Sequence, residues 1–316
     1  MANKFFVAGL ALAASLAGGL PLIAQQGGVP TQTVVTVMPK DGKGTSAVSR
    51  ENIQLSVNRK QGTVTDLVPL RGERDGLELV VLVDDSARSG LSLQLKSMRN
   101  FINHLPANTQ VGVAYMQNGQ ARFVQNLTPD HALAAKALRI TQGVPGGNAS
   151  PYFCLSDLAK RWPSSNPDNR REVLMITDGV DRYSGRRFDP ENPYVQAAVQ
   201  DSQKAGLIVY SIYYRDAGGF DRGDFAAFGG QNYLDQVTKA TGGKAFYIGT
   251  GNPVSFDPFL DELHTRLMNQ YELGFLAQPG HKPEVQQLKV KTNLPATQIS
   301  APEGVFVGGQ ERGSLR

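Results

Sequence analysis

Three short polar stretches carry the oxygen-bearing side chains from which a site could be built. Asp84-Asp85-Ser86-Ala87-Arg88-Ser89 follows one apolar run, and Thr177-Asp178-Gly179 follows another. Gly146-Gly147-Asn148-Ala149-Ser150 precedes a helical pattern. No Gly occurs in the first stretch before Gly90, so it is not the glycine-rich turn of a dinucleotide fold. Carboxylates and hydroxyls brought to one place are hard oxygen donors. Such donors suit Mg²⁺, which demands octahedral geometry and keeps some of its waters. Other chemistries find little to work with. There is no GxSxG nucleophile elbow and no P-loop. His104, His131, His264 and His281 are not spaced as a metal pair. Beside an ion only Asp85 could serve as a general base, so the chain reads as a non-enzyme.

The elements that must position these stretches alternate in kind. Leu77–Val83 is almost continuously apolar, as a strand covered on both faces would be. Leu91, Leu95, Met98, Ile102 and Leu105 then fall at helical spacing. Further strand-like runs come at 111–116, 121–124, 173–176, 207–214 and 245–248. Helical patterns lie at 132–140, 152–162, 194–204, 234–240 and 256–270. This alternation predicts an α/β fold with a Rossmann-like, doubly wound, mostly parallel sheet. Ligands of such sheets bind beyond the carboxyl ends of the strands, where the Asp84 and Asp178 stretches fall. Both ends of the chain have β character instead: short alternating runs over 31–69, then Glu272–Leu276 and Gln287–Thr292. These are expected to pair into one small β-rich module. The expected organisation is a signal segment at 1–24, an N-terminal β region at 25–75 and the α/β domain at 76–270. C-terminal strands at 271–300 and a flexible tail at 301–316 complete it.

Composition narrows the classes further. Hydrophobic residues make up 41% of the 316, enough for a real core. The single Cys154 excludes a disulfide within the chain and reads as a small buried side chain. The net charge of +4 arises from 32 basic and 28 acidic residues without a Lys/Arg block, which argues against nucleic-acid binding. Residues 1–24 carry Lys4 and then an uncharged Ala-, Leu- and Gly-rich stretch ending at Ala24. This reads as a secretory signal, and an uncleaved anchor is the rival reading. Pro21 and Gly18-Gly19 favour the signal, and no later stretch is long enough to span a membrane. The expected location is secreted or periplasmic.

The sequence resembles the von Willebrand factor A (VWA) domain, in its secreted bacterial VWFA-related form, over residues 31–295. Val80–Ser86, Gly146-Gly147, Leu174–Gly179, Thr241-Gly242-Gly243 and Gln270–Gly274 carry the resemblance by their order and spacing. Asp41-Gly42-Lys43 and Glu51-Asn52-Ile53 fit the region that precedes the domain in that group. The resemblance implies a metal-ion-dependent adhesion site whose first motif is Asp-x-Ser-x-Ser. Asp84 and Ser86 match that motif, Ser150 is the best counterpart of its hydroxyl before a helix, and Asp178 matches the third element. It further implies that Mg²⁺ leaves one position open for a partner protein's Asp or Glu.

Arg88 stands where the motif has its last Ser, with Ser89 one residue late. The change removes a hydroxyl ligand and adds a cation close to where an ion would sit. Two readings stay open. In one, a partly degenerate site mediates protein binding or adhesion, with Arg88, Ser89 and Asn148 as partner contacts. In the other, Asp84 and Asp178 cap backbone N–H groups, and the protein is a metal-free structural or assembly component of the cell envelope. Three features carry less. Arg222-Gly223-Asp224 is read as coincidence, Phe220, Phe225 and Phe228 as packing residues of a Gly-rich loop, and 183–187 as a solvated loop.

Overall fold

A computed structural model describes residues 28–40, 47–144, 147–166, 168–184, 188–215, 224–278, 280 and 282–308. The N-terminal part forms β1 (Val29–Pro39), β2 (Ile53–Val57), β3 (Lys60–Gln61) and β4 (Thr63–Pro69). Next come β5 (Leu77–Asp84), α1 (Leu95–Asn103), β6 (Thr109–Gln117), β7 (Gln120–Thr128), α2 (His131–Ala137) and α3 (Pro151–Lys160). The chain continues through β8 (Arg170–Thr177), α4 (Pro193–Lys204), β9 (Leu207–Tyr213), α5 (Asp224–Ala240), β10 (Ala245–Phe246) and α6 (Asp257–Leu267). It closes with β11 (Gln270–Ala277), β12 (Glu284–Thr292), β13 (Thr297–Ser300) and β14 (Gly304–Val307).

β5 is buried at all eight positions because helices cover both faces of its sheet. Leu77, Leu79, Val81 and Val83 pack on one side with residues of α1, α2 and α6. Val80 and Leu82 pack on the other with residues of α3, α4 and α5. The pleat sends neighbouring residues to opposite faces, so a strand covered twice reads as one apolar run. The six strands run in the order β10-β9-β8-β5-β6-β7, all parallel except the β6–β7 hairpin. Asn118 (φ 50°) and Gly119 (φ 73°) turn that hairpin, matching the positive φ that a type I′ turn requires. The chain adds β6 and β7 on one side of β5, then returns to add β8, β9 and β10 on the other. The order therefore reverses at β5, and the carboxyl ends of β5 and β8 flank the crevice where such sheets hold ligands.

The two chain ends build a sandwich of two four-stranded sheets, β13-β1-β11-β4 and β14-β12-β2-β3. β1 and β11 pair antiparallel from Val29 opposite Ala277 to Thr36 opposite Gln270. Val35, Leu55, Leu273, Phe275, Leu288 and Val307 fill the space between the sheets. The α/β fold class and the module drawn from both ends are as the sequence suggests.

The C-terminal reading needs correction. Residues 304–307, expected in a flexible tail, form β14 against β12. Val305 and Val307 alternate inward into the sandwich core while Phe306 faces out, so a period of two holds among the glycines. The helical pattern from Leu91 begins as a 3-10 segment, Ser89–Gln94, before α1. Residues 1–24, Asp41-Gly42-Lys43, Gly146, Phe220 and Arg222-Gly223 lie outside the described residues.

Candidate functional site

Asp84 ends β5 and Thr177 ends the neighbouring β8, so their side chains meet across the crevice. Asp84 Oδ2 accepts a hydrogen bond from Thr177 Oγ1 at 2.9 Å. Its Oδ1 accepts from Ser86 N at 3.1 Å and from Ser86 Oγ at 2.7 Å, which folds the loop back on the carboxylate. Ser150 is the N-cap of α3. Its Oγ accepts from Tyr152 N at 3.3 Å, and Pro151 occupies the first turn, where no N–H is needed. Two bonds tie this helix start to the loop after β8: Tyr152 OH donates to Gly179 O at 2.7 Å, and Arg182 N donates to Ala149 O at 2.8 Å. The expected Asp84, Ser86, Ser150 and Asp178 thus lie on linked loops at one edge of the sheet, 2%, 5%, 0% and 4% exposed.

Asp178 is held by Arg182. Nη2 donates to Oδ2 at 2.5 Å and Nη1 to Oδ1 at 3.4 Å, while Val180 N donates to Oδ1 at 3.0 Å. Burial pushes the Asp178 carboxyl above its ordinary pKa, and the Arg182 charge works against that rise. Asp85 belongs to a different set of contacts. It takes Arg139 on both oxygens, at 2.8 and 3.1 Å, together with Gln117 Nε2 at 2.5 Å and Gln142 N at 3.0 Å. Burial would raise its pKa, but Arg139 and the other donors prevail and hold the carboxyl below its usual range. That makes Asp85 an anchored salt-bridge partner and a poor proton acceptor. Beside it, the Arg139 guanidinium lies 3.9 Å from the centroid of the Tyr115 ring. Asp181 accepts from Tyr183 N at 3.2 Å, from Ser184 Oγ and from Asn192 Nδ2 at 2.7 Å. Asn192 in turn caps α4.

The residues suggested as partner contacts are not all at the surface. Arg88 and Ser89 are exposed at the start of the 3-10 segment. Asn148 is only 5% exposed, with Nδ2 3.7 Å from Met116 Sδ and no partner for Oδ1 among the described residues. The cation on Asp178 is Arg182, which is not among the residues expected at the site. Its signal was the spacing of four residues from Asp178, just before the 183–187 segment read as a solvated loop.

Mg²⁺ needs oxygens that are free to turn toward it. Both oxygens of Asp84 and of Asp178 accept hydrogen bonds already, and Ser150 Oγ caps a helix. Asn148 Oδ1 accepts nothing among the described residues, and Ser86 Oγ, which donates to Asp84, keeps its acceptor lone pairs. An ion at Asp178 would have to share that carboxylate with the Arg182 guanidinium, whose like charge repels it. In this arrangement the donor set does not fit a divalent ion unless Arg182 moves away. Among the described residues no group of three or more His, Cys, Asp or Glu side chains is placed to hold a metal.

The chain forms a doubly wound α/β domain with a mostly parallel sheet, carrying a β sandwich. No family model matches the chain, and no curated protein matches it. Similar solved structures include an aerotolerance-related membrane protein from Bacteroides fragilis, at 14% identity and a TM-score of 0.42 over 61% of this chain and 98% of that one. The conserved hypothetical protein BatB from Bacteroides thetaiotaomicron has 16% identity and a TM-score of 0.40 over 61% and 97%. The SpRpn10 VWA domain has 13% identity and a TM-score of 0.40 over 59% and 94%. These are likenesses of fold alone.

Proposed function

We propose that the protein is an exported protein-interaction module whose partner docks on the carboxyl edge of the central sheet. One observation carries this reading: exposed aliphatic side chains gather on three loops that are tied together at that edge. Leu93 is 80% exposed, Val144 77% and Val254 100%, with Ile140 and Ile248 also exposed. The loops are fixed by specific bonds. Gln94 Nε2 donates to Val254 O at 3.0 Å, and its Oε1 accepts from Phe256 N at 2.9 Å. Thr141 Oγ1 donates to Ala87 O at 2.6 Å, and Gly143 N to Asp85 O at 2.9 Å. Aliphatic groups held in water on braced loops favour burial against a partner, with Arg88 and Ser89 at the polar rim. Export rests on residues 1–24. Among the described residues no helix is long and apolar enough to cross a membrane.

The second reading, an assembly component of the cell envelope, shares this surface and differs in needing no ion. Capture from envelope extracts with wild type and with the double variant L93D/V254D tests the docking surface. Bands held by wild type and by the sandwich-surface variant L276D, but lost from L93D/V254D, support it. Equal capture by all three folded proteins would sink it. Capture that survives EDTA favours the assembly reading. Capture that EDTA abolishes favours adhesion through Mg²⁺ and a partner carboxylate.

A further inference from the structure

We infer that Arg182 supplies, as a resident cation, the positive charge that a divalent ion would otherwise bring to this edge of the sheet, so that the domain holds its site closed without metal. Asp178 is 4% exposed, and a buried carboxylate needs a compensating charge. Arg182 meets it with both terminal nitrogens, from a side chain itself only 17% exposed. The planar guanidinium matches the two carboxylate oxygens.

The backbone is arranged for this contact. Gly179 has φ +68°, and a Cβ there would come within 2.5 Å of Gly230 O, so the turn that brings residue 182 back over Asp178 needs glycine. Arg182 N then donates to Ala149 O, joining the loop of Asp178 to the loop of Ser150. Linking those two loops is the mechanical task an ion would perform between Asp178 and the Ser150 hydroxyl. Here a covalently attached cation and one backbone hydrogen bond do it. The hydroxyl has turned to cap α3, and Asp84 is satisfied by Ser86 and Thr177. Arg88, the basic residue within the motif itself, is exposed. The inference concerns closure of the site and does not depend on where a partner docks.

Thermal denaturation and calorimetry with Mg²⁺ and Mn²⁺ test it on the full chain without any partner. Wild type is expected to give no binding heat and the same Tm in EDTA and in millimolar Mg²⁺. R182A is expected to lose roughly 5–10 °C in Tm, and Mg²⁺ or Mn²⁺ should restore at least part of that loss. R182K, which keeps the charge but loses the two-pronged contact, should melt between wild type and R182A and remain insensitive to ions. D178A/R182A should show no ion response. Mg²⁺ binding by wild type overturns the inference, as does R182A with unchanged stability or with a loss that neither ion relieves. If R182A does not fold, R182K decides: an ion-silent, folded R182K supports the resident cation, and one that binds Mg²⁺ refutes it.

Discussion

Glu172 lies on β8 where the amino edge of the central sheet meets the sandwich, and it is fully buried. Neither carboxylate oxygen has a hydrogen-bond partner among the described residues, and Arg170 Nε stands 3.6 Å away. Tyr210 and Gln270 face it as well. Burial outweighs the Arg170 charge and pushes the Glu172 pKa from 4.5 to about 7. A folded-state pKa above the unfolded value means that the neutral form is the one compatible with folding. The stability linked to this group is therefore fully present below about 4.5 and lost as pH rises through about 7. Wild type should lose on the order of 1–3 kcal/mol more stability than E172Q between those conditions and mildly alkaline buffer. Denaturant melts across that window read the difference. Parallel curves for the two proteins would show that Glu172 does not titrate there.

At the scale of elements, the start of α3 separates a structural from a ligand role for Ser150. Its Oγ accepts from Tyr152 N, so S150A removes an N-cap and should cost about 1 kcal/mol. That cost should be the same in EDTA and in Mg²⁺, and a cost that appears only with Mg²⁺ would return Ser150 to metal ligation. The elements around this helix were largely legible in the sequence. An apolar run such as Leu77–Val83 suits a strand covered on both faces, which puts the polar residues directly after it at the sheet edge. The Asp84 and Asp178 loops are placed on that basis, while the choice of Asp84, Ser86, Ser150 and Asp178 as one site comes from the resemblance to the VWA domain. What was not legible is which atoms each one touches. Arg182 pairs with Asp178 through a turn that depends on Gly179 and on the approach of Gly230 from α5, a contact about fifty residues away in the chain. Asp85 is likewise decided by Arg139, far off in sequence. The Asn118-Gly119 turn carries a strong local hairpin signal that the expectations did not use.

At the scale of the whole molecule, the sandwich depends on both chain ends, and its last strand is where sequence and structure differ most. Gly304, Gly308 and Gly309 give the end of the chain the composition of a loose tail. Three-dimensional pairing decides otherwise. β14 lies along β12 with Glu284 opposite Val307 and Gln287 opposite Gly304. The approach is guided by two bonds just before it, Glu303 N to Ala240 O at 3.0 Å and Leu288 N to Glu303 O at 2.8 Å. The first of these fastens the strand to the end of α5, so β14 also braces the sandwich against the α/β domain. Val307 is 1% exposed in a core shared with Val35, Leu55 and Leu288. V307A should therefore cost roughly 2 kcal/mol by lost burial and the cavity left behind. Ending the chain after Pro302 should cost more, because it also removes the ladder along β12 and both bracing bonds. Hydrogen exchange localises the effect. Amides of β12 should lose protection in the truncated chain, whereas those of β5 and β8, buried between helices, should keep it. A truncated chain with unchanged Tm and unchanged β12 protection would mean that residues 304–307 contribute nothing to the fold.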